Sequence, residues 1–284
     1  MKKLLKAGLI FALVVGVGIF MSHGIQAESI RLATTTSTED SGLLDEILPI
    51  FTEEAGIEVE VVAVGTGQAL EIGRRGDADI LMVHAPDLEK EFVEDGYGTE
   101  RTYIMYNYYV IVGPPEDPAG LSDFVGERAD IETAMTAIYE TGNDGSLRFL
   151  SRGDNSGTHR KEMDLWEMTG LEDVEDTGWY NALGQGMGST LITANEMAGY
   201  ALTDRGTFHS MAEGLANLKI LYKGDEALNN PYGIIPLNPE VFENANYEAA
   251  QQLVDFMVRD DIQKKIGDFG VETFGQQLFF SGEE

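Results

Sequence analysis

Strand-like and helix-like segments alternate through the N-terminal third of the chain, and that alternation leaves few folds open. Residues 29–33 read as a short strand, and 40–55 as an amphipathic helix with Leu43, Leu44, Ile47, Leu48 and Phe51 on one face. Pro49 inside that helix predicts a kink. Residues 58–64 are β-branched and predict a second strand. A short helix over 68–75, a buried strand over 78–83 and a helix over 87–94 follow. This order predicts parallel βαβ units in an open α/β sheet.

The remainder keeps the same grammar. Residues 103–112 form a long Tyr-rich strand whose aromatic stripe reads as packing, not as a cofactor box. It ends at Gly113-Pro114-Pro115, with Asp117-Pro118 after it, the expected crossing into a second lobe. Helices are expected over 122–124, 131–139, 157–169 and 190–197, the last leading to Tyr200-Ala201-Leu202-Thr203, and strands over 147–151 and 218–222. A strand over 232–237 and closing helices over 247–259 and 261–269 return the chain to the first lobe. The expected lobes are 28–112 plus 225–284, and 113–224.

The first 27 residues stand apart. Lys2, Lys3 and Lys6 precede an apolar run, 7–21, and Ile25-Gln26-Ala27 ends on a small residue before Glu28. That is the pattern of a secretory signal peptide. The run of about 15 residues is short of the roughly 20 that span a bilayer. The chain has no Cys, so the lipid-anchoring route is closed and no disulfide is expected. A free periplasmic protein follows.

The full chain carries a net charge of −30, and loss of Lys2, Lys3 and Lys6 makes the mature chain more negative by three. Binding to nucleic acid or to an anionic membrane is thereby disfavoured. The acids are spread along the whole sequence, so they read as a solvated coat, not as a cation site.

Four segments share one design, small hydroxyl or Gly residues between a strand and a helix start. They are Thr34-Thr35-Thr36-Ser37-Thr38, Gly65-Thr66-Gly67, the stretch from Ser151 to His159, and Gly186-Met187-Gly188-Ser189-Thr190. Free N–H groups and the helix dipole make each a possible anion seat at the carboxyl end of a strand. Ser and Thr donate without adding charge, and a fully ionised oxyanion offers acceptors only. Arg152 is the one cation in these turns and suits bidentate, charge-assisted bonds. Taken singly, each turn is also what a helix cap or plain turn looks like.

His159 has no second His at ligand spacing, so a capping role is expected and no metal or cofactor is. Asp154 is expected to orient Arg152 or the turn. Ser156-Gly157-Thr158 lacks a Gly-x-Ser-x-Gly elbow, which argues against a Ser hydrolase.

At these residues the chain resembles the tungstate-binding proteins of ABC importers, the TupA type within the periplasmic oxyanion-binding proteins. The resemblance covers nearly the whole mature chain. Its carriers are Ala33-Thr34-Thr35-Thr36-Ser37, residues 65–70, 76–80 and 151–159, and the segments 190–195 and 200–208. The run from Arg152 to Thr158 is also similar to the phosphate-binding proteins. The resemblance implies a two-lobed periplasmic binding protein of type II with its ligand in the interlobe cleft. It implies a non-enzymatic monomer that hands its anion to an ABC permease with a cytoplasmic ATPase. Thr35, Thr36, Ser37, Gly65 and Thr66 would bind the oxyanion from lobe one. Arg152, Ser156, Gly157 and Thr158, with Ser189 or Thr190, would bind it from lobe two. The alternatives are molybdate or another tetrahedral oxyanion on the same fold, and a periplasmic phosphoester hydrolase.

Overall fold

The computed structural model describes residues 28–124, 130–171 and 173–282. The expected signal peptide lies outside the described residues. Strand β1 (Glu28–Thr35) runs directly into α1 (Thr36–Asp40), and α2 (Leu43–Ala55) follows. The helix expected over 40–55 is α2, which starts three residues later because the unannounced α1 ends just before it. Ser41 Oγ donates to the Thr38 carbonyl at 2.7 Å, and Gly42 takes φ of 81°, a left-handed conformation that ends α1. Pro49 lies within α2, which continues past it.

Next come β2 (Ile57–Val64), α3 (Thr66–Arg74), β3 (Ile80–Val83), α4 (Pro86–Glu94) and the long β4 (Thr102–Gly113). Beyond it lie α5 (Ile131–Asn143), β5 (Phe149–Ser151), α6 (Gly157–Met168), β6 (Tyr180–Ala182) and α7 (Met187–Met197). Then come β7 (Ala201–Asp204), α8 (Arg205–Met211), β8 (Lys219–Tyr222) and β9 (Asn229–Pro236). Helices α9 (Tyr247–Met257), α10 (Asp260–Asp268) and α11 (Val271–Phe274) precede β10 (Phe280–Ser281). The sequence did not announce β6, α8 or β10, which are too short for a periodic pattern.

The expected parallel units are present: β1 lies between β2 and β3 and is parallel to both. Beyond β3 the sheet turns antiparallel, in the order β10-β4-β9-β3-β1-β2. Along β4, residues 102–108 pair with β9, while Tyr109–Val112 pair with β7.

The core follows this division. Ile80 and Met82 of β3 face α2, α9 and α10, whereas Leu81 and Val83 face α3 and α4. A strand covered on both faces must be apolar throughout, and β3 is. Ile104 and Met105 of β4 belong to the first of these cores. Further along, Tyr109 and Ile111 pack with α5 and α6, and Val110 and Val112 with α7 and Phe208 of α8. Strand β4 thus enters two separate three-layer cores.

Candidate oxyanion site

The first turn is built by a strand that becomes a helix without a loop. Thr35 ends β1 and caps α1, its Oγ1 accepting the Thr38 N–H at 3.3 Å. Thr34 Oγ1 donates to the Met82 carbonyl at 2.7 Å and ties the turn to β3. The Ser37 hydroxyl is 3.2 Å from His84 Nε2 and 3.1 Å from Thr35 Oγ1. Thr36 Oγ1 is buried with no hydrogen-bond partner among the described residues.

The second and third turns meet. Thr66, at the start of α3, accepts the N–H of Gly157 at 3.2 Å, so its own hydroxyl proton stays available. Gly157 is the first residue of α6, and a Cβ there would lie 3.1 Å from both the His84 ring and Thr66 Oγ1. A Cβ on Gly65 would stand 3.8 Å from Asp154 Oδ2. Ser156 caps α6 through the His159 N–H at 3.3 Å, and the buried Thr158 hydroxyl faces the buried Tyr109 hydroxyl.

Arg152 is only 2% exposed. Its Nη2 donates to Asp154 Oδ2 at 2.6 Å and its Nε at 3.2 Å. The Nη1 edge has no protein partner among the described residues. Asp154 Oδ1 accepts the Ser156 N–H at 3.1 Å. Burial opposes ionisation of Asp154, but Arg152 and the Ser156 bonds outweigh it and hold the carboxyl below its usual range. Both carboxylate oxygens are therefore engaged as acceptors. His159 Nδ1 accepts the Asn155 N–H at 3.1 Å and so braces this turn.

The fourth turn reaches the site with its backbone. A Cβ on Gly186 would lie 3.6 Å from Thr36 Oγ1, and one on Gly188 3.5 Å from Asp40 Oδ2. Ser189 is exposed, and the Thr190 hydroxyl is spent on the Gly186 carbonyl at 3.0 Å. These two side chains are not brought to the other donors. Burial raises the Asp40 carboxyl, and the Arg152 charge partly offsets this.

His84, one residue past β3, is the group that sequence reasoning missed. Its place at the carboxyl end of a parallel strand was the available signal. Burial, then the Arg152 charge, pushes its pKa down to about 4, so the ring is neutral at pH 7. Among the described residues no group of three or more His, Cys, Asp or Glu is placed to hold a metal ion.

The site is thus a cluster of uncharged donors, helix N-termini and one buried guanidinium. The PBP superfamily domain model matches residues 24–261. The tungstate-binding protein TupA of Peptoclostridium acidaminophilum is 47% identical over 251 residues, 88% of this chain and 85% of that protein. The chain belongs to the TupA family within the PBP superfamily.

Solved structures of the TupA family agree in fold. The tungstate ABC transporter structure from Geobacter sulfurreducens is 43% identical, with a TM-score of 0.77 over 85% of this chain and 99% of that one. The tungstate-binding protein TupA from Desulfovibrio alaskensis G20 is also 43% identical, with a TM-score of 0.74 over 91% of this chain and 100% of that one.

Proposed function

We propose that this chain captures tungstate outside the cytoplasm and delivers it to an ABC importer, without chemical turnover. Its two lobes, 28–112 with 225–284 and 113–224, close on the anion between the four turns. The observation that carries this reading is a buried hydroxyl, Thr36 Oγ1, that has no partner among the described residues and lies in the first of the turns that gather with the buried Arg152. A buried polar group left unpaired costs about 1–3 kcal/mol. An acceptor-only dianion placed among these groups removes that cost. The donors are then the hydroxyls of Thr36 and Thr66, Arg152 Nη1, and free amides at the starts of α1, α3, α6, among them that of Thr158, and α7. Gly65, Ser156 and Gly157 shape the turns, and Thr35 caps the first.

Asp154 bears on which anion. Phosphate carries a proton at neutral pH and needs an acceptor in its site. Asp154 Oδ2 takes both Arg152 bonds while Oδ1 takes only the Ser156 N–H, so a protonated anion would have to share Oδ1, and the choice between anions rests on the calorimetry below. The names of the relatives supply the tungsten and the transporter. The N-terminal leader pattern supports a periplasmic location, and the partner is then a membrane permease with a cytoplasmic ATPase.

Calorimetry of the mature chain with tungstate, molybdate, sulfate and phosphate tests the reading. Tungstate should bind with the lowest Kd. Tighter binding of phosphate or sulfate would overturn it.

A further inference from the structure

From the first turn a chain of buried polar groups runs inward, away from the donors assigned to the anion. Ser37 Oγ is 3.2 Å from His84 Nε2, and His84 Nδ1 is 2.9 Å from Asn230 Oδ1. Asn230 Nδ2 donates to Asn107 Oδ1 at 2.7 Å, and Asn107 Nδ2 to Asp204 Oδ1 at 3.4 Å. Asn107 and Asn230 are register partners on β4 and β9. Asp204 Oδ1 also accepts the Thr207 N–H at 2.9 Å, capping α8, and Thr207 Oγ1 donates back to the Ser37 carbonyl at 3.3 Å. The links form a closed circuit through Ser37. Ser37, Asn107, Asp204 and Thr207 are fully buried, and Asn230 and His84 nearly so.

The sense of each link is fixed from the far end. The Thr207 N–H points at Asp204 Oδ1, so that oxygen is an acceptor whatever the state of the other one. Asn107 must then turn its NH2 toward Asp204 and its oxygen toward Asn230. Asn230 in turn presents its oxygen to His84, so Nδ1 carries the proton. In a neutral imidazole Nε2 is then an acceptor, and among the described residues the only hydrogen that meets it is that of the Ser37 hydroxyl. Tyr109 Oη, 3.1 Å from Nδ1, would reverse the sense only by giving that nitrogen its proton. Asn230 Oδ1 would then face a lone pair at 2.9 Å.

We propose that His84 is a positioning residue for the oxyanion site, held as the Nδ1–H tautomer by Asn230, Asn107 and Asp204 so that it takes the Ser37 hydroxyl proton inward. The Ser37 side chain then belongs to the scaffold, and Ser37 serves the anion through its backbone N–H alone. Thr35 Oγ1, 3.1 Å away, gives its proton to Ser37 Oγ, and Thr38 Oγ1 gives its proton to Thr35 at 2.6 Å. Of the hydroxyls at positions 35–38, only that of Thr36 is left to donate. The inference rests on the oxyanion reading for its purpose, but not for its geometry.

The test is histidine-selective nitrogen NMR on the intact mature chain, with the His84 signals assigned by their loss in His84→Gln. The expected spectrum at pH 7 has a protonated Nδ1 and an unprotonated Nε2, before and after tungstate is added. A protonated Nε2 in the wild-type chain overturns the proposal. A double-mutant cycle provides the second measurement. Ser37→Ala and His84→Leu should each lower tungstate affinity about fivefold, and the double variant no further, because the two act through one bond. Losses that multiply overturn it as well. If the wild-type chain binds no tungstate, the functional reading falls, while the tautomer still decides the positioning claim.

Discussion

At the scale of single residues, the site depends on one buried charge and a few hydroxyls. Arg152 is the cation there, and its guanidinium bonds Asp154 through Nε and Nη2, which leaves Nη1 for the proposed anion. Truncation to alanine removes a charge-assisted donor and leaves the Asp154 carboxylate half-buried without its partner. Arg152→Ala should therefore weaken tungstate binding by about two to four orders of magnitude, the equivalent of roughly 3–5 kcal/mol. Calorimetry reads this directly, and an unchanged affinity would mean that the anion sits elsewhere. A second residue makes a prediction unrelated to binding. Glu162 on α6 is buried and accepts the Tyr180 hydroxyl at 2.6 Å. Desolvation raises its pKa to about 7. The folded chain then holds this proton more tightly than the unfolded chain does. The associated stability is fully present below the unfolded pKa near 4.5 and is lost as pH rises through 7. Glu162→Gln keeps an acceptor for Tyr180 and abolishes that slope. The variant should match the wild type near pH 4 and exceed it by on the order of 3 kcal/mol above pH 8, by chemical denaturation. Parallel pH profiles for the two chains would contradict this.

At the scale of elements, helix starts meet across the site because Gly157 has no side chain to keep them apart. Gly157 opens α6 against the His84 ring and Thr66. An alanine there adds helix propensity, worth up to about 1 kcal/mol. It also forces apart α6, His84 and Thr66, the last two on different elements of the other core. Gly157→Ala should hence leave the melting temperature unchanged or slightly higher while lowering tungstate affinity about tenfold or more. A parallel loss of both would mean that the contact is general packing. The same scale explains what could be read in advance. Three turns were legible because strand, then hydroxyl or glycine, then helix is a local pattern. In the fourth, the glycines at 186 and 188 do approach Thr36 and Asp40, but the helical phase of α7 turns Ser189 outward and Thr190 back to the Gly186 carbonyl. The His84 circuit was not legible, since its members come from β4, β9 and the ends of β3 and β7, and only tertiary folding joins them. One hint was present: Asn107 interrupts an otherwise apolar and aromatic strand, and a polar side chain buried there requires a partner. The antiparallel placement of β9 between β3 and β4 was equally hidden, because strand order depends on pairing across more than a hundred residues.

At the scale of the whole molecule, the acidity and the proposed ligand pull against each other. The chain carries −30, and a dianion must cross that field to reach a site whose only buried cation among the described residues is Arg152. The two effects act over different distances. The surface field is screened within about 30 Å at 0.01 M salt and about 3 Å at 1 M. The contacts inside the site are at hydrogen-bond range, where such screening does little. Salt should thus speed the approach and leave the bound state alone. Between 10 mM and 1 M sodium chloride, the association rate constant for tungstate should rise about three- to tenfold, with the dissociation rate nearly constant. Stopped-flow fluorescence can follow it, because Trp166 and Trp179 lie in the α5–α6 core. The same screening relieves repulsion among the acids of the coat, so the melting temperature should climb over the same range. An association rate that falls with salt would show that the local potential of Arg152 reaches solvent and steers the anion. The coat would then be electrically separate from the entrance, and the binding face would have to be mapped as a positive opening in a negative surface.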